Sequence, residues 1–140
     1  IGVIIGKRWA QFELIGPEVD GAGNDHCQIA WLETVAIRLG LLMLLSLGTR
    51  PGKVFIVWTD NSTTLSAILK RKLRDERVNG EWKIIQNLLL TNKIDLLAKR
   101  VKSDSNRADS LSRGDNMEHA ERDKIAIQLP ADLAHRFVQL

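Results

Sequence analysis

Three acidic side chains stand at positions where a solvated surface charge is not expected. Glu33 lies within a long apolar segment, Asp60 ends a short apolar run, and Asp109 lies in the first turns of a short predicted helix. Clustered carboxylates are the oxygen ligands that Mg²⁺ prefers. Two such ions about 4 Å apart can activate a water molecule and stabilise the leaving oxygen of a phosphodiester. Glu33, Asp60 and Asp109 are therefore our candidate catalytic residues and metal ligands.

Each of these residues also has a structural interpretation. Glu33 could pair with Arg38 or lie on a narrow solvent face, Asp60 could cap the following helix, and Asp109 could favour a helix N-terminus. The residue types leave both interpretations open. The catalytic one predicts that the three carboxyl groups lie within about 8 Å of one another.

The charge distribution favours an anionic partner. The chain of 140 residues has a net charge of +3, but residues 50 to 113 carry 14 basic and 7 acidic side chains. A basic surface beside an acidic site suits a nucleic acid, because carboxylates alone would repel its phosphates. A solvated helix face is the alternative for the first basic cluster. The candidate nucleic-acid contacts from this segment are Lys70, Arg71, Lys72, Arg74, Arg107 and Arg113.

The elements that must position these residues follow from hydrophobic patterning. Two strands of a hairpin are predicted within residues 1–15, and a long, largely buried helix over 29–47. The continuous apolar run 54–58 predicts a strand buried on both faces. Helices over 61–73 and 79–90, a strand over 94–101 and a short helix after Ser105 complete an α/β pattern. In open α/β sheets ligands bind outside the carboxyl ends of strands, where Asp60 lies.

The remaining residues give predictions about the C-terminal segment, the core and the location in the cell. Residues 115–124 read as a charged linker, followed by an alternating segment at 125–129 and a terminal helix over 131–140. The four tryptophans could stack on bases, but their apolar neighbours favour packing in the core. The single Cys27 allows no internal disulfide, which predicts an intracellular location, cytoplasmic or nuclear. The apolar stretch 39–49 is too short to span a bilayer, so we expect no membrane partner.

Three motifs carry a family resemblance. Glu33 in IAWLETVA, Asp60 in WTDNS and Asp109 in NRADSLSR resemble the ribonuclease H domain of retroelement reverse transcriptase polyproteins. The last motif is the most specific and is similar to the end of this domain in gypsy-like and DIRS-type elements. The resemblance covers residues 1–114, which we assign to a ribonuclease H-like domain. Residues 115–140 are assigned to the charged linker and a C-terminal strand and helix segment.

The resemblance implies a fold and an activity. The fold would be a ribonuclease H-like mixed sheet flanked by helices, and the reaction hydrolysis of the RNA strand of RNA–DNA hybrids. Two Mg²⁺ ions would serve it, with Mn²⁺ as a substitute, and Glu33, Asp60 and Asp109 would be the second, third and fourth acidic ligands. Asn61, beside Asp60, joins the nucleic-acid contacts. The implied partners are the hybrid and an adjacent reverse transcriptase domain.

The first acidic ligand of the family has no match here. It precedes a Gly-Ile-Gly opening of the second strand, and Ile1-Gly2-Val3 resembles the rest of that opening. We therefore expect the first strand and its Asp to be missing, hybrid cleavage to be poor or absent, and an exposed sheet edge to allow self-association. A noncatalytic ribonuclease H-like module, such as a tether or decayed copy, is the alternative. Another nuclease or transposase of the same fold is a third.

Overall fold

The computed structural model describes residues 1–15, 25–70, 76–102 and 119–140 and shows a mixed α/β chain. Its contacts form two compact units, Ile1–Gly23 with Arg107–Leu140 and Asn24–Asn106. The domain boundary expected at residue 114 stays a prediction. The short helix predicted after Ser105 lies outside the described residues.

The first unit contains the predicted hairpin, which is confirmed. Strands β1 (Gly2–Ile5) and β2 (Arg8–Leu14) pair in antiparallel fashion, and Gly6 takes a φ of 61° at the turn between them. Glycine adopts such positive φ values without the clash of a Cβ atom. Strand β5 (Phe137–Gln139) pairs with the other edge of β2, so the sheet order is β1-β2-β5.

The C-terminal segment differs from the prediction. The helix expected over 131–140 is wrong, because helix α4 spans only Ala131–Ala134 and β5 follows it. Phe137 lies opposite Leu14 and is buried, so pairing with β2 competes with a longer helix. The alternating segment 125–129 forms no strand, although Lys124 makes an isolated bridge to Trp9. A 3₁₀ turn, Glu121–Asp123, precedes this bridge.

The second unit follows the predicted order of elements. Its members are α1 (Asp25–Ser46), β3 (Val54–Thr59), α2 (Ser62–Lys70), α3 (Glu76–Asn92) and β4 (Asp95–Arg100). Strands β3 and β4 are parallel, with Val54 opposite Asp95 and Thr59 opposite Arg100. A parallel pair needs a long crossover connection, which α2 and α3 provide.

The core of this unit lies between helices and one face of the sheet. Helix α1 packs on α3, and α2 packs on β4. The predicted apolar stripe of α3 is confirmed, since Trp82, Ile85 and Leu89 are buried. Val35 and Leu39 of α1 are buried as well. The long helix is therefore a packed element of this unit.

The prediction that β3 is buried on both faces is wrong. Val54, Ile56 and Trp58 are exposed, while Thr59 is buried. Strand β4 shows the same alternation, with Leu97 exposed. A continuous apolar run predicts the strand but does not predict which elements pack on its two faces. Here the described residues of the unit pack one face and leave the other exposed.

Helix α1 also bears on the membrane question. Its segment Ile29–Ser46 is long and apolar enough to cross a membrane by length and composition alone, which the shorter stretch at 39–49 did not indicate. The helix carries Arg38, whose guanidinium lies 3.1 Å from the carboxylate of Glu81 in a buried ion pair. Such packing is typical of a core helix. The absence of a membrane partner stays a prediction.

Candidate functional site

The candidate site lies at the carboxyl end of the parallel strands β3 and β4. Asp60 directly follows β3, and the Val101 N–H donates to the Thr59 carbonyl at 2.9 Å, which holds the two strand ends together. An open cleft of about 490 Å³ is lined by Asp60, Arg100, Val101 and Lys102. This edge is where α/β sheets bind ligands.

Asn61 begins helix α2. Its Oδ1 accepts from the Thr64 N–H at 3.2 Å, and its carbonyl accepts from the Leu65 N–H at 3.0 Å. A side-chain oxygen bonded to the third helical N–H is the usual N-cap arrangement. Asn61 therefore caps this helix, and the capping interpretation of Asp60 stays a prediction.

Glu33 reaches the start of α2 from the neighbouring helix α1. Its Oε1 accepts from Asn61 Nδ2 at 3.3 Å, and its Oε2 accepts from the Thr64 hydroxyl. The alternative partner, Arg38, binds Glu81 instead. One amide group, that of Asn61, thus caps α2 and holds the Glu33 carboxylate beside Asp60.

The surroundings of the Glu33 carboxylate, which include Asp60, disfavour its ionised form. Burial raises the pKa of Glu33, the hydrogen bond from Asn61 acts against this rise, and the negative charge of Asp60 adds to it. The net direction is upward, because desolvation and a like charge both disfavour the ionised form. No residue in the described part of the chain supplies a cation to Glu33. A bound cation would relieve both effects.

The donor set suits a hard divalent cation. Glu33 and Asp60 offer only oxygen atoms, which Mg²⁺ prefers over nitrogen or sulfur ligands. Within the residues that the structure describes, no three His, Cys, Asp or Glu side chains form a cluster. The third predicted ligand, Asp109, lies outside them. The structure thus brings two of the three candidates together, and the predicted 8 Å cluster stays a prediction.

Two of the predicted nucleic-acid contacts, Lys70 and Asn61, lie within the described residues. Lys70 is exposed at the end of α2. Asn61 is described too, but both ends of its amide are engaged, by Glu33 and Thr64. Its observed role is to position Glu33, and its contact with nucleic acid stays a prediction. The others lie outside the described residues: Arg71, Lys72, Arg74, Arg107 and Arg113.

The place of three residues in the site was not predicted from the sequence. Arg100 and Lys102 belong to the basic excess of residues 50 to 113, and they line the cleft together with Asp60. A signal for this place existed, because Arg100 ends the second parallel strand and Lys102 follows two residues later, at the edge that Asp60 occupies. Thr64, which bonds Glu33, stands at the third position of a helix that begins at Ser62, and nothing in its type pointed to a carboxylate on another helix.

The tryptophans divide into two groups. Trp9, Trp31 and Trp82 are buried, with exposed fractions of 0%, 6% and 1%, which confirms their predicted core packing. Trp58 is 58% exposed, so the prediction is wrong for this residue. Its strand leaves one face exposed, and Trp58 lies on that face.

Comparison with known proteins leaves the family open. No family model, no curated protein and no solved structure matches the chain. The site combines two carboxylates and two cationic side chains at the carboxyl end of a parallel strand pair.

Proposed function

We propose that this chain is a ribonuclease H-like domain of a retroelement reverse transcriptase polyprotein. Its reaction would be metal-dependent hydrolysis of the RNA strand of RNA–DNA hybrids inside the cell, in the cytoplasm or nucleus. The observation that carries the proposal is the half-buried Glu33 carboxylate, held beside Asp60 with no cation from the described residues. The resemblance of the three acidic motifs supports the same activity.

The side chains of the site have separable roles. Glu33 and Asp60 would hold Mg²⁺ or Mn²⁺ through their oxygens, and Asp109 would join them. When bound, the two ions supply the activated water and stabilise the leaving oxygen. Asn61 and Thr64 fix the Glu33 carboxylate by hydrogen bonds before any ligand arrives. Preorganised groups of this kind need no rearrangement during the reaction.

The cations of the cleft would serve the substrate. Arg100 and Lys102 line the cleft together with Asp60 and carry exposed positive charges. They would neutralise phosphates that the carboxylates repel, which keeps a polyanion close to an acidic site. The basic cluster that begins at Lys70 would bind the hybrid further along, and an adjacent reverse transcriptase domain would present it.

The test is hydrolysis of an RNA–DNA hybrid with Mg²⁺ by a chain extended upstream of Ile1. The resemblance places the first carboxylate in that extension, so we expect the extended chain to cleave and the 140-residue chain to cleave poorly or not at all. Asp60→Asn and Glu33→Gln should abolish cleavage, and Glu13→Gln, which changes an exposed carboxylate, should not. Strong cleavage by the 140-residue chain, lost in Asp60→Asn, would place the first ligand within this sequence.

A noncatalytic module is the second candidate, and one observation favours it. Both carboxylate oxygens of Glu33 accept hydrogen bonds, from Asn61 and Thr64, so the side chain can serve to join α1 to α2. In that case the extended chain would bind the hybrid or pack on a polymerase without hydrolysing it. Binding without cleavage in the same assay would favour this candidate over the nuclease.

A sheet edge would mediate self-association in either case. Among the described residues β3 and β4 pair only with each other, and unpaired strand edges can bind a strand of another chain. Sedimentation analysis of the 140-residue chain at increasing concentration tests this, and a monomer throughout would refute it.

A further inference from the structure

An exposed aromatic ring lies two residues before Asp60. Trp58 is 58% exposed, whereas the other three tryptophans are at most 6% exposed. The ring stands on the uncovered face of the β3–β4 sheet, in a strand that holds its backbone in place through pairing with β4. A rigid, accessible π-face of this size is a stacking surface.

One cationic side chain lies over this ring, and two more follow it in the chain. Lys99 is opposite Trp58 in the parallel register, and its Nζ lies 5.8 Å from the ring centroid. Arg100 and Lys102 follow it at the same end of β4, and all three cations are exposed. None of the three forms an ion pair with a residue in the described part of the chain. Their charges are therefore available to a ligand.

We propose that Trp58, Lys99, Arg100 and Lys102, which we name the Trp58 platform, bind single-stranded nucleic acid. One base stacks on the Trp58 ring, and Lys99 moves from the ring to a neighbouring phosphate. Aromatic rings beside a basic groove are the usual means of binding single strands without sequence preference. The inference rests on the proposed function only in that both ligands are nucleic acids.

A nucleic acid fits this surface better than a protein does. Val54, Ile56 and Leu97 extend the apolar face away from the site and would suit a protein partner. The three cations, however, all lie at the Trp58 end, next to the cleft that contains Asp60. Phosphates and a base match that combination of charge and ring, whereas an apolar protein surface would leave the cations without partners.

The test measures binding of a short oligothymidylate to the 140-residue chain in EDTA. Tryptophan fluorescence monitors the binding. Since the other tryptophans are buried, quenching on binding reports Trp58. We expect Trp58→Ala to weaken binding about tenfold or more, as loss of one stacked base does. The triple variant Lys99→Gln, Arg100→Gln, Lys102→Gln should lower the salt slope by about 2, since each single-strand phosphate contact contributes about 0.7.

Matched variants separate loss of the Trp58 platform from loss of apolar area or positive charge elsewhere on the chain. Leu90→Ala removes an exposed apolar side chain elsewhere and should leave binding unchanged. Replacing Lys7, Arg8 and Lys83 by Gln removes the same charge from other exposed positions and should change the salt slope by less than the platform variant. Equal affinity of Trp58→Ala and the unchanged chain would overturn the proposal.

Two further results distinguish this proposal from its rivals. If Ile56→Ala and Trp58→Ala both change the oligomeric state and neither changes oligothymidylate binding, the face is a protein interface and the proposal is wrong. Because binding is measured in EDTA, it does not depend on hydrolysis. An extended chain that fails to cleave hybrids but binds oligothymidylate through Trp58 would refute the nuclease and support the platform.

Discussion

Replacing Glu81 by Leu should destabilise the second unit strongly. Glu81 and Arg38 form an ion pair of 3.1 Å, with side-chain exposures of 11% and 5%. Removing one partner of a buried pair costs about 3–5 kcal/mol, because the other charge stays buried without compensation. Arg38 has other contacts besides Glu81, so we expect the lower end, about 3 kcal/mol. That is a large fraction of the roughly 5–15 kcal/mol by which domains are stable.

The assay is urea unfolding, with a thermal melt beside it. For a unit of this size about 3 kcal/mol corresponds to a decrease in Tm of more than about 10 °C. The double variant Arg38→Met, Glu81→Leu should recover most of the stability, since well-packed apolar side chains often replace a buried pair without loss. Glu76→Leu changes an exposed acid of the same helix and should cost less than about 1 kcal/mol.

Two results would refute this reasoning. If Glu81→Leu costs no more than Glu76→Leu, the pair does not stabilise α1 against α3. If the double variant loses as much as the Glu81→Leu and Arg38→Met single variants together, the two side chains act independently, and the buried charge is not the cause of the loss.

Three further predictions concern the site. Because burial and Asp60 raise the pKa of Glu33, the folded chain binds this proton more tightly than the unfolded chain, and stability should fall as pH rises from the ordinary to the raised pKa. Glu33→Gln should remove that fall in thermal melts across this range, and an unchanged pH dependence would contradict it. Asn61→Ala should cost about 0.5–2 kcal/mol in urea unfolding through loss of the α2 cap, whereas Asn92→Ala, near the end of α3, should cost less. Neutralising Lys70, Arg71, Lys72 and Arg74 together should weaken hybrid binding for all sequences alike and flatten its salt dependence, and an unchanged slope would refute these phosphate contacts.

The element order could be predicted because local patterns determine it. The stripe of Trp82, Ile85 and Leu89 has helical spacing, and the structure buries all three residues on α3. The turn after Ile5 and the loop before Val54 are marked by glycines with positive φ, Gly6 and Gly52. The C-terminal strand β5 could not be predicted in this way, because its pairing with β2 joins residues more than a hundred positions apart.

The burial of the two faces of β3 could not be predicted, for a different reason. An apolar run identifies a strand, but burial of its two faces depends on which helices pack there, and that is a property of the whole fold. In the described part of the chain α2 packs on the sheet, while Ile56 and Trp58 stay exposed on the uncovered face. The same uncertainty led to the wrong prediction for Trp58, whose neighbours in sequence are apolar but whose neighbours in space are few.

Helix geometry alone could have excluded Arg38 as the partner of Glu33. Arg38 follows Glu33 by five residues, and side chains meet along a helix at spacings of three or four. Five residues turn the helix by about 140° beyond a full circle, so the two side chains lie on different faces of α1. Arg38 lies on the face that contacts Glu81 of α3. Glu33 lies on another face, where it accepts a hydrogen bond from Asn61 at the start of α2. Helix α1 thereby directs its buried cation to Glu81 of α3, which neutralises it, and its carboxylate to the side of Asp60. A metal ion or the cleft cations Arg100 and Lys102 can compensate the negative charge that results at this edge.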